Sequence, residues 1–194
     1  EFGLSDKSGV EISESAPKVS DFDAIRSAIG QGTNNYSTVG LARYVTTVAN
    51  SGSCYNLSLL SKATDADGNL IADYTPTLRN TVDLKQSTWD AIHQGMRKVV
   101  EDKDYYKDLT IQVAGKTGTA QENRKRANHA LFVCYAPYEQ PQIAIATRIA
   151  FGYASDYAAQ VTKDIVKYYF KLEDESSLIT GTAESTNVVQ SAGD

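Results

Sequence analysis

The residues best suited to chemistry form one unbroken run, Val113-Ala114-Gly115-Lys116-Thr117-Gly118-Thr119-Ala120-Gln121. The run reads as a strand. Side chains alternate along a strand, so Thr117 and Thr119 share one face while Lys116 and Gly118 share the other. Two hydroxyls beside an ammonium suit an anionic group such as a carboxylate, which takes charge-assisted hydrogen bonds. Gly118 removes a side chain where a partner must come close to the backbone. On a sheet edge, the same run would offer unpaired N–H and C=O groups to an extended peptide. The chemistry expected is therefore capture of a peptide that ends in a carboxylate.

Three other constellations compete with that reading. Gly115-Lys116-Thr117 matches the end of a phosphate-binding loop, but such a loop needs a glycine where Thr110 stands and a helix after the lysine. Here a second glycine and a turn-joined strand follow instead. Asp65-Ala66-Asp67-Gly68-Asn69 resembles a calcium loop only superficially, because its glycine is misplaced and no glutamate closes the site. It reads as a turn. His93 has no cysteine or acid at ligand spacing and reads as a surface or packed histidine. No metal and no cofactor are expected.

Periodicity supplies the elements around the strip. Strand-like runs cover residues 109–121, 130–136 and 142–150, joined by the basic turn Arg124-Lys125-Arg126 and by residues 137–141. Connections this short imply antiparallel neighbours. Leu109, Ile111 and Val113 share parity with Thr117 and Thr119. Ser37 can cap a helix whose apolar residues Val39, Leu41, Ala42, Val45, Val48 and Ala49 recur at helical spacing, and Asn50-Ser51-Gly52 stops it. A hairpin follows: Leu57, Leu59 and Leu60 lead into residues 65–69, and Leu70-Ile71 return. A second helix starts at Ser87 with Asp90 as a capping-box acid and a stripe of Trp89, Ile92, Met96, Val99 and Val100. A third starts near Ser155, with Ala158, Val161, Ile165, Val166 and Tyr169 facing one way. Residues 173–194 turn polar, lose periodicity and read as a mobile tail behind a single domain over residues 1–172. There is no internal repeat.

Composition agrees with one globular domain: of 194 residues, 41% are apolar and 22% charged. The formal net charge of -5 argues against a nucleic-acid partner. Arg124-Lys125-Arg126 reads as a solvated turn. Cys54 and Cys134, set among apolar and aromatic neighbours, read as two buried free thiols, with a bridge between them as the alternative. No apolar run has the length needed to cross a bilayer, and no run reads as a signal peptide.

Read in order, several segments resemble the second half of the class B penicillin-binding protein transpeptidase domain. Phe2-Gly3-Leu4, Ser8-Gly9-Val10-Glu11-Ile12 and Glu14 are similar to the opening F-G-L-G…T-G-I-D-L…E of that half. Ile29-Gly30-Gln31-Gly32 matches I-G-Q-G, and Ser37-Thr38-Val39-Gly40-Leu41-Ala42 running to Ala49-Asn50-Ser51-Gly52 resembles T-P-L-Q-L-A…A-N-G-G. Gly95-Met96 with Val99-Val100 resembles the G-M…V-V helix. Lys116-Thr117-Gly118-Thr119-Ala120 matches K-T-G-T-A, and residues 129–137 resemble the strand that follows it. The likeness spans residues 1–170. Cys134 stands where a glycine is common, and Ser37 and Val39-Gly40 replace the usual Thr and Pro-Leu.

The resemblance implies an α+β fold: a partial antiparallel sheet with packed helices, part of a serine β-lactamase-like domain that lacks its N-terminal half here. The face shared by Val113, Thr117 and Thr119 is expected to turn toward that missing helical half, leaving an apolar patch that favours self-association. The family's nucleophile sits in an S-x-x-K motif, followed by S-x-N, both ahead of where this chain begins. Ser15-Ala16-Pro17-Lys18 fits the first pattern in letters, but the proline is poorly suited to the helix the motif opens. Ser185-Thr186-Asn187 fits the second but lies in the tail. Both are taken as chance, so this chain alone is not expected to acylate.

Further roles follow from the resemblance. The serine would attack the D-Ala-D-Ala bond of a peptidoglycan stem peptide, an amine on a second strand would resolve the acyl-enzyme, and β-lactams would trap the same serine. Lys116 would supply positive potential. Thr117 and Thr119 would hold the substrate carboxylate beside Gly118, and the backbone N–H of Thr119 would form half of the oxyanion hole. The longer protein would work at the extracytoplasmic face of the bacterial cell membrane, held there only by an N-terminal anchor outside this chain. Two rivals share the scaffold: a class A enzyme with an added glycosyltransferase domain, and a non-catalytic penicillin-sensing domain.

Overall fold

The computed structural model of the chain describes residues 1–178. Residues 179–194, which hold most of the expected tail and Ser185-Thr186-Asn187, lie outside the described residues. An irregular segment leads to a short helix, α1 (Ala24–Ala28), and then to α2 (Thr38–Ala49). Ser37 caps α2 as expected: its Oγ accepts from Gly40 N at 3.1 Å. The helix ends where Ser51 and Gly52 turn left-handed, with φ of 51° and 107°. Gly52 is obligatory there, because a Cβ would meet Val82 O at 2.4 Å.

Two small antiparallel sheets follow. Strand β1 (Ser53–Tyr55) pairs with β4 (Leu78–Thr81), and the hairpin β2 (Lys62–Thr64) to β3 (Leu70–Asp73) projects between them. The expected hairpin is therefore present with its first strand later in sequence, leaving Leu59 and Leu60 exposed outside it. Asp65 makes the turn, its Oδ1 accepting from Asp67 N and Asn69 N. Helix α3 (Gln86–Glu101) starts one residue before Ser87 and has no side-chain cap at Lys85. A 3-10 turn, Asp104–Tyr106, leads toward the main sheet.

That sheet has three antiparallel strands in the order β5 (Ala114–Ala120), β6 (His129–Ala136), β7 (Ile143–Ile149). It is followed by α4 (Ser155–Tyr169) and a single turn, α5 (Glu175–Leu178), inside the stretch read as tail. Helix α4 covers one sheet face, burying Ala158, Ala159 and Val166 against Phe132, Ala130 and Cys134. On the other face Val45 of α2 and Met96 of α3 pack on Ala114, Tyr135 and Val133. The buried stripe of α4 is rotated from the expected one: Val161 and Ile165 are exposed, while Ala158, Ala159 and Thr162 lie inside. Small residues let the helix approach the sheet closely. Thr162 Oγ1 satisfies itself on Ala158 O at 2.7 Å and on Thr147 Oγ1 at 2.6 Å.

The run expected as one strand over 109–121 is extended β-structure only from Ala114. Upstream, other groups hold the backbone: Arg97 Nη1 donates to Val113 O at 3.1 Å, and Tyr138 N to Gln112 O at 2.8 Å. The face of Val113, Thr117 and Thr119 also differs from expectation. Val113 is buried in the core under α4, and Thr117 stands opposite Phe132. That face is covered at its Val113 end, while Thr117 is half-buried and Thr119 exposed. Exposed apolar side chains instead cluster in residues 12–29, including Phe22, Ile25 and Ile29, and around the β2–β3 hairpin, including Leu70, Ile71 and Leu78.

Arg43 ties the entry segment to α2. It is 1% exposed, and its Nη atoms donate to the carbonyls of Gly3, Asp6 and Lys7. Glu14 adds a second tie: its carboxylate accepts from Ser8 N at 2.7 Å, Ser8 Oγ at 2.8 Å and Ser37 Oγ at 2.5 Å. Both cysteines are buried free thiols, and burial pushes the Cys134 thiol up to about 12.

Candidate functional site

Among the described residues strand β5 pairs with β6 alone, so it is an edge of the main sheet there. In an antiparallel pair, alternate residues turn both N–H and C=O toward the neighbour and the rest turn them away. The carbonyls of Thr117 and Thr119 accept from the side chains of Lys116 and Gln31. The odd-numbered backbone groups of β5 therefore face outward, as the expected peptide strip requires.

Side chains follow the register. Lys116 stands opposite Val133 and Gly118 opposite Leu131, on the face shared with α2 and α3. Thr117 and Thr119 stand opposite Phe132 and Ala130, on the α4 face. The structure thus brings Lys116, Thr117, Gly118 and Thr119 together on one free edge, with the ammonium and the hydroxyls on opposite sides of it. Lys116 is exposed, and the one hydrogen bond of its side chain among the described residues runs from Nζ to Thr117 O at 2.8 Å. Its charge is left without a carboxylate partner there. The two glycines of β5 differ in kind. At Gly115 an added Cβ would meet Phe132 Cζ at 2.4 Å and Val133 O at 2.9 Å, so this glycine serves packing. At Gly118 the sole neighbour would be Leu131 Cβ at 3.4 Å, an ordinary contact. Among the described residues no packing contact requires Gly118.

Two neighbours of the strip were not singled out as site residues from the sequence. Gln31 Nε2 donates to Thr119 O at 3.3 Å, across 88 residues of sequence. The I-G-Q-G run held the available signal: a polar residue between two glycines is a turn that presents a side chain. His129 anchors the hairpin end, where it pairs with Ala120. Phe151 N donates to its Nδ1 at 3.1 Å, which leaves Nε2 as the nitrogen that donates to Glu122 Oε2 at 2.6 Å. The ring lies 4.7 Å from that of Phe151, and Arg126 of the basic turn sits over Phe151 at 5.2 Å.

The alternative constellations stay apart from the strip. Ser15 to Lys18 is not helical, and Lys18 instead bridges Asn35, so no helical turn sets this lysine beside this serine. His93 is half-buried, with Nε2 2.8 Å from Val48 O. Among the described residues, no group of three or more His, Cys, Asp or Glu is placed to hold a metal, and no helix is long and apolar enough to cross a membrane.

Comparison with known proteins adds the relationship. A sequence profile of the penicillin binding protein transpeptidase domain matches residues 1–168. The chain is 28% identical over 195 residues to penicillin-binding protein 2B of Streptococcus pneumoniae, covering 88% of this chain and 28% of that protein. It is 30% identical over 169 residues to the peptidoglycan D,D-transpeptidase MrdA of Haemophilus influenzae, covering 76% of this chain and 26% of that one. The solved structure of penicillin-binding protein 2B from Streptococcus pneumoniae matches with a TM-score of 0.76 at 27% identity, over 89% of this chain and 31% of that chain. The chain spans less than a third of the length of these relatives. With K-T-G-T-A on the free edge of an antiparallel sheet and a profile covering most of its length, the chain belongs to the penicillin-binding protein transpeptidase domain family, in its class B branch.

Proposed function

We propose that this chain forms the substrate-strip side of a peptidoglycan D,D-transpeptidase, and that the observation carrying this is the free edge of β5 with Lys116 unpaired by any described carboxylate. A stem peptide lies extended along β5, and its terminal carboxylate is held by the hydroxyls of Thr117 and Thr119 within the positive field of Lys116. A serine supplied by sequence outside this chain attacks the carbonyl carbon of the D-Ala-D-Ala bond. The C–N bond breaks, the terminal D-Ala leaves as an amine with the proton, and an acyl-serine ester remains. An amine on a second strand then attacks the ester, forming the cross-link and returning the serine.

In this scheme the outward N–H of Thr119 points to where negative charge develops on the carbonyl oxygen, and losing one such donor costs about 3 kcal/mol of transition-state stabilisation. Lys116 adds a positive field, and Gly118 lets the peptide backbone lie close. β-Lactams acylate the same serine. The working protein acts at the extracytoplasmic face of a bacterial membrane, with residues 1–172 as part of the catalytic domain.

Fluorescent penicillin tests this. A longer protein that includes the S-x-x-K segment labels covalently, and Lys116→Met slows its labelling about a hundredfold. The 194-residue chain alone does not label. Covalent labelling of the chain alone would overturn the division of roles and return the nucleophile to Ser15.

A further inference from the structure

The geometry points to Gln31 as a displaceable plug on the edge of β5, a positioning residue that competes with an incoming peptide for the carbonyl of Thr119. The inference rests on the reading of β5 as a peptide strip and adds what controls access to it. An extended peptide pairs with an edge strand by exchanging N–H and C=O with the outward-facing residues, here Thr117 and Thr119. Both outward carbonyls are already occupied by side chains of the chain itself: Thr117 O by Lys116 Nζ at 2.8 Å, and Thr119 O by Gln31 Nε2 at 3.3 Å.

The two occupants respond differently to a ligand. A terminal carboxylate draws the Lys116 ammonium away from a neutral carbonyl, because the charge-assisted bond is the stronger. The Gln31 amide is uncharged and holds the other carbonyl, so the carboxylate draws it less strongly than it draws the ammonium. Gln31 Nε2 takes one of the two acceptor positions of Thr119 O, so a peptide N–H pairing along this edge competes with it, and that cost falls on binding.

The local fold holds the backbone of Gln31 while leaving its side chain able to move. Gly30 and Gly32, on either side, have φ of 73° and 94°, which disfavours any residue with a Cβ. A Cβ at Gly30 would meet nothing within 4 Å, so conformation and not crowding requires the glycine. Gln31 N donates to Arg26 O at 2.9 Å, and Asn34 Nδ2 donates to Gln31 O at 3.4 Å. Asn34 is itself held, since its Oδ1 accepts from Ser20 N and from Tyr36 Oη, both at 2.9 Å. The contact of the Gln31 side chain with Thr119 is exposed and long, and such a bond breaks readily.

If the plug is in place about two-thirds of the time, apparent affinity is lowered about threefold. The test is an amide-shift titration of the 194-residue chain with an N-acetylated tripeptide ending in D-Ala-D-Ala. Gln31→Ala is expected to bind about threefold more tightly than wild type, with perturbed amides centred on Lys116 to Ala120. Gln31→Met, which keeps the bulk without the donor, gives the same gain and controls for loosening of the loop. Equal or weaker binding by both variants, with the wild type still perturbed at β5, overturns the plug and leaves the strip standing. No perturbation at β5 in any of the three proteins overturns the strip, and the plug with it.

Discussion

Gly118 faces Leu131 across the β5–β6 ladder with room for a methyl group, whereas Gly115, three residues earlier on the same strand, has a phenyl ring and a carbonyl where a methyl would go. Packing requires Gly115 and leaves Gly118 free of that requirement. Gly118→Ala is expected to change stability by less than about 1 kcal/mol while weakening peptide binding at least tenfold, because the methyl stands where the ligand backbone lies. Gly115→Ala is expected to cost about 1–3 kcal/mol by overpacking against Phe132. Urea unfolding and the same peptide titration read both effects. A Gly118→Ala variant that binds normally would show that close approach is not needed there.

Arg43 carries a second prediction. Its guanidinium satisfies carbonyls of Gly3, Asp6 and Lys7 from a position 1% exposed. Truncation to alanine strands those acceptors and opens a cavity, for an expected loss of about 3–5 kcal/mol. Hydrogen exchange is expected to rise first in residues 1–12, because they lose their tie to α2.

Acid is expected to loosen the same region. Partial burial raises the Glu14 carboxyl, but bonds from Ser37 and Ser8 outweigh it and hold the group below the ordinary carboxylate range. A depressed value means that the folded state favours the ionised form. Its contribution is present above the ordinary value and is lost as pH falls through the folded one. Glu14→Gln is therefore expected to lower stability at pH 7 and to flatten the acid limb of the stability curve below about pH 4.5. An unchanged acid limb in the variant would assign the acid sensitivity to other groups.

The strand that carries Lys116 to Thr119 was legible because its signal is local. Alternation fixes which residues of Lys116 to Thr119 share a face, and a short turn to the next strand fixes an antiparallel neighbour. The edge position needed the structure, since it depends on what fails to pair with β5. The face reading failed for a related reason: parity can be counted from sequence, but which face α4 covers is set by tertiary packing. Ala158, Ala159 and Thr162 outcompete the larger Val161 and Ile165 for the sheet because they let the backbones approach. Gln31 escaped notice as a contact because its partner lies 88 residues away and one side-chain bond leaves no periodic trace.

The most direct test of the central claim compares two ligands that differ only at one end. An N-acetylated tripeptide ending in free D-Ala-D-Ala, titrated into this chain, is expected to shift the amides of Lys116 to Ala120, and C-terminal amidation of that tripeptide or Lys116→Met is expected to weaken binding at least tenfold. Shifts of equal size from the amidated ligand, or shifts confined to residues away from β5, would contradict the account.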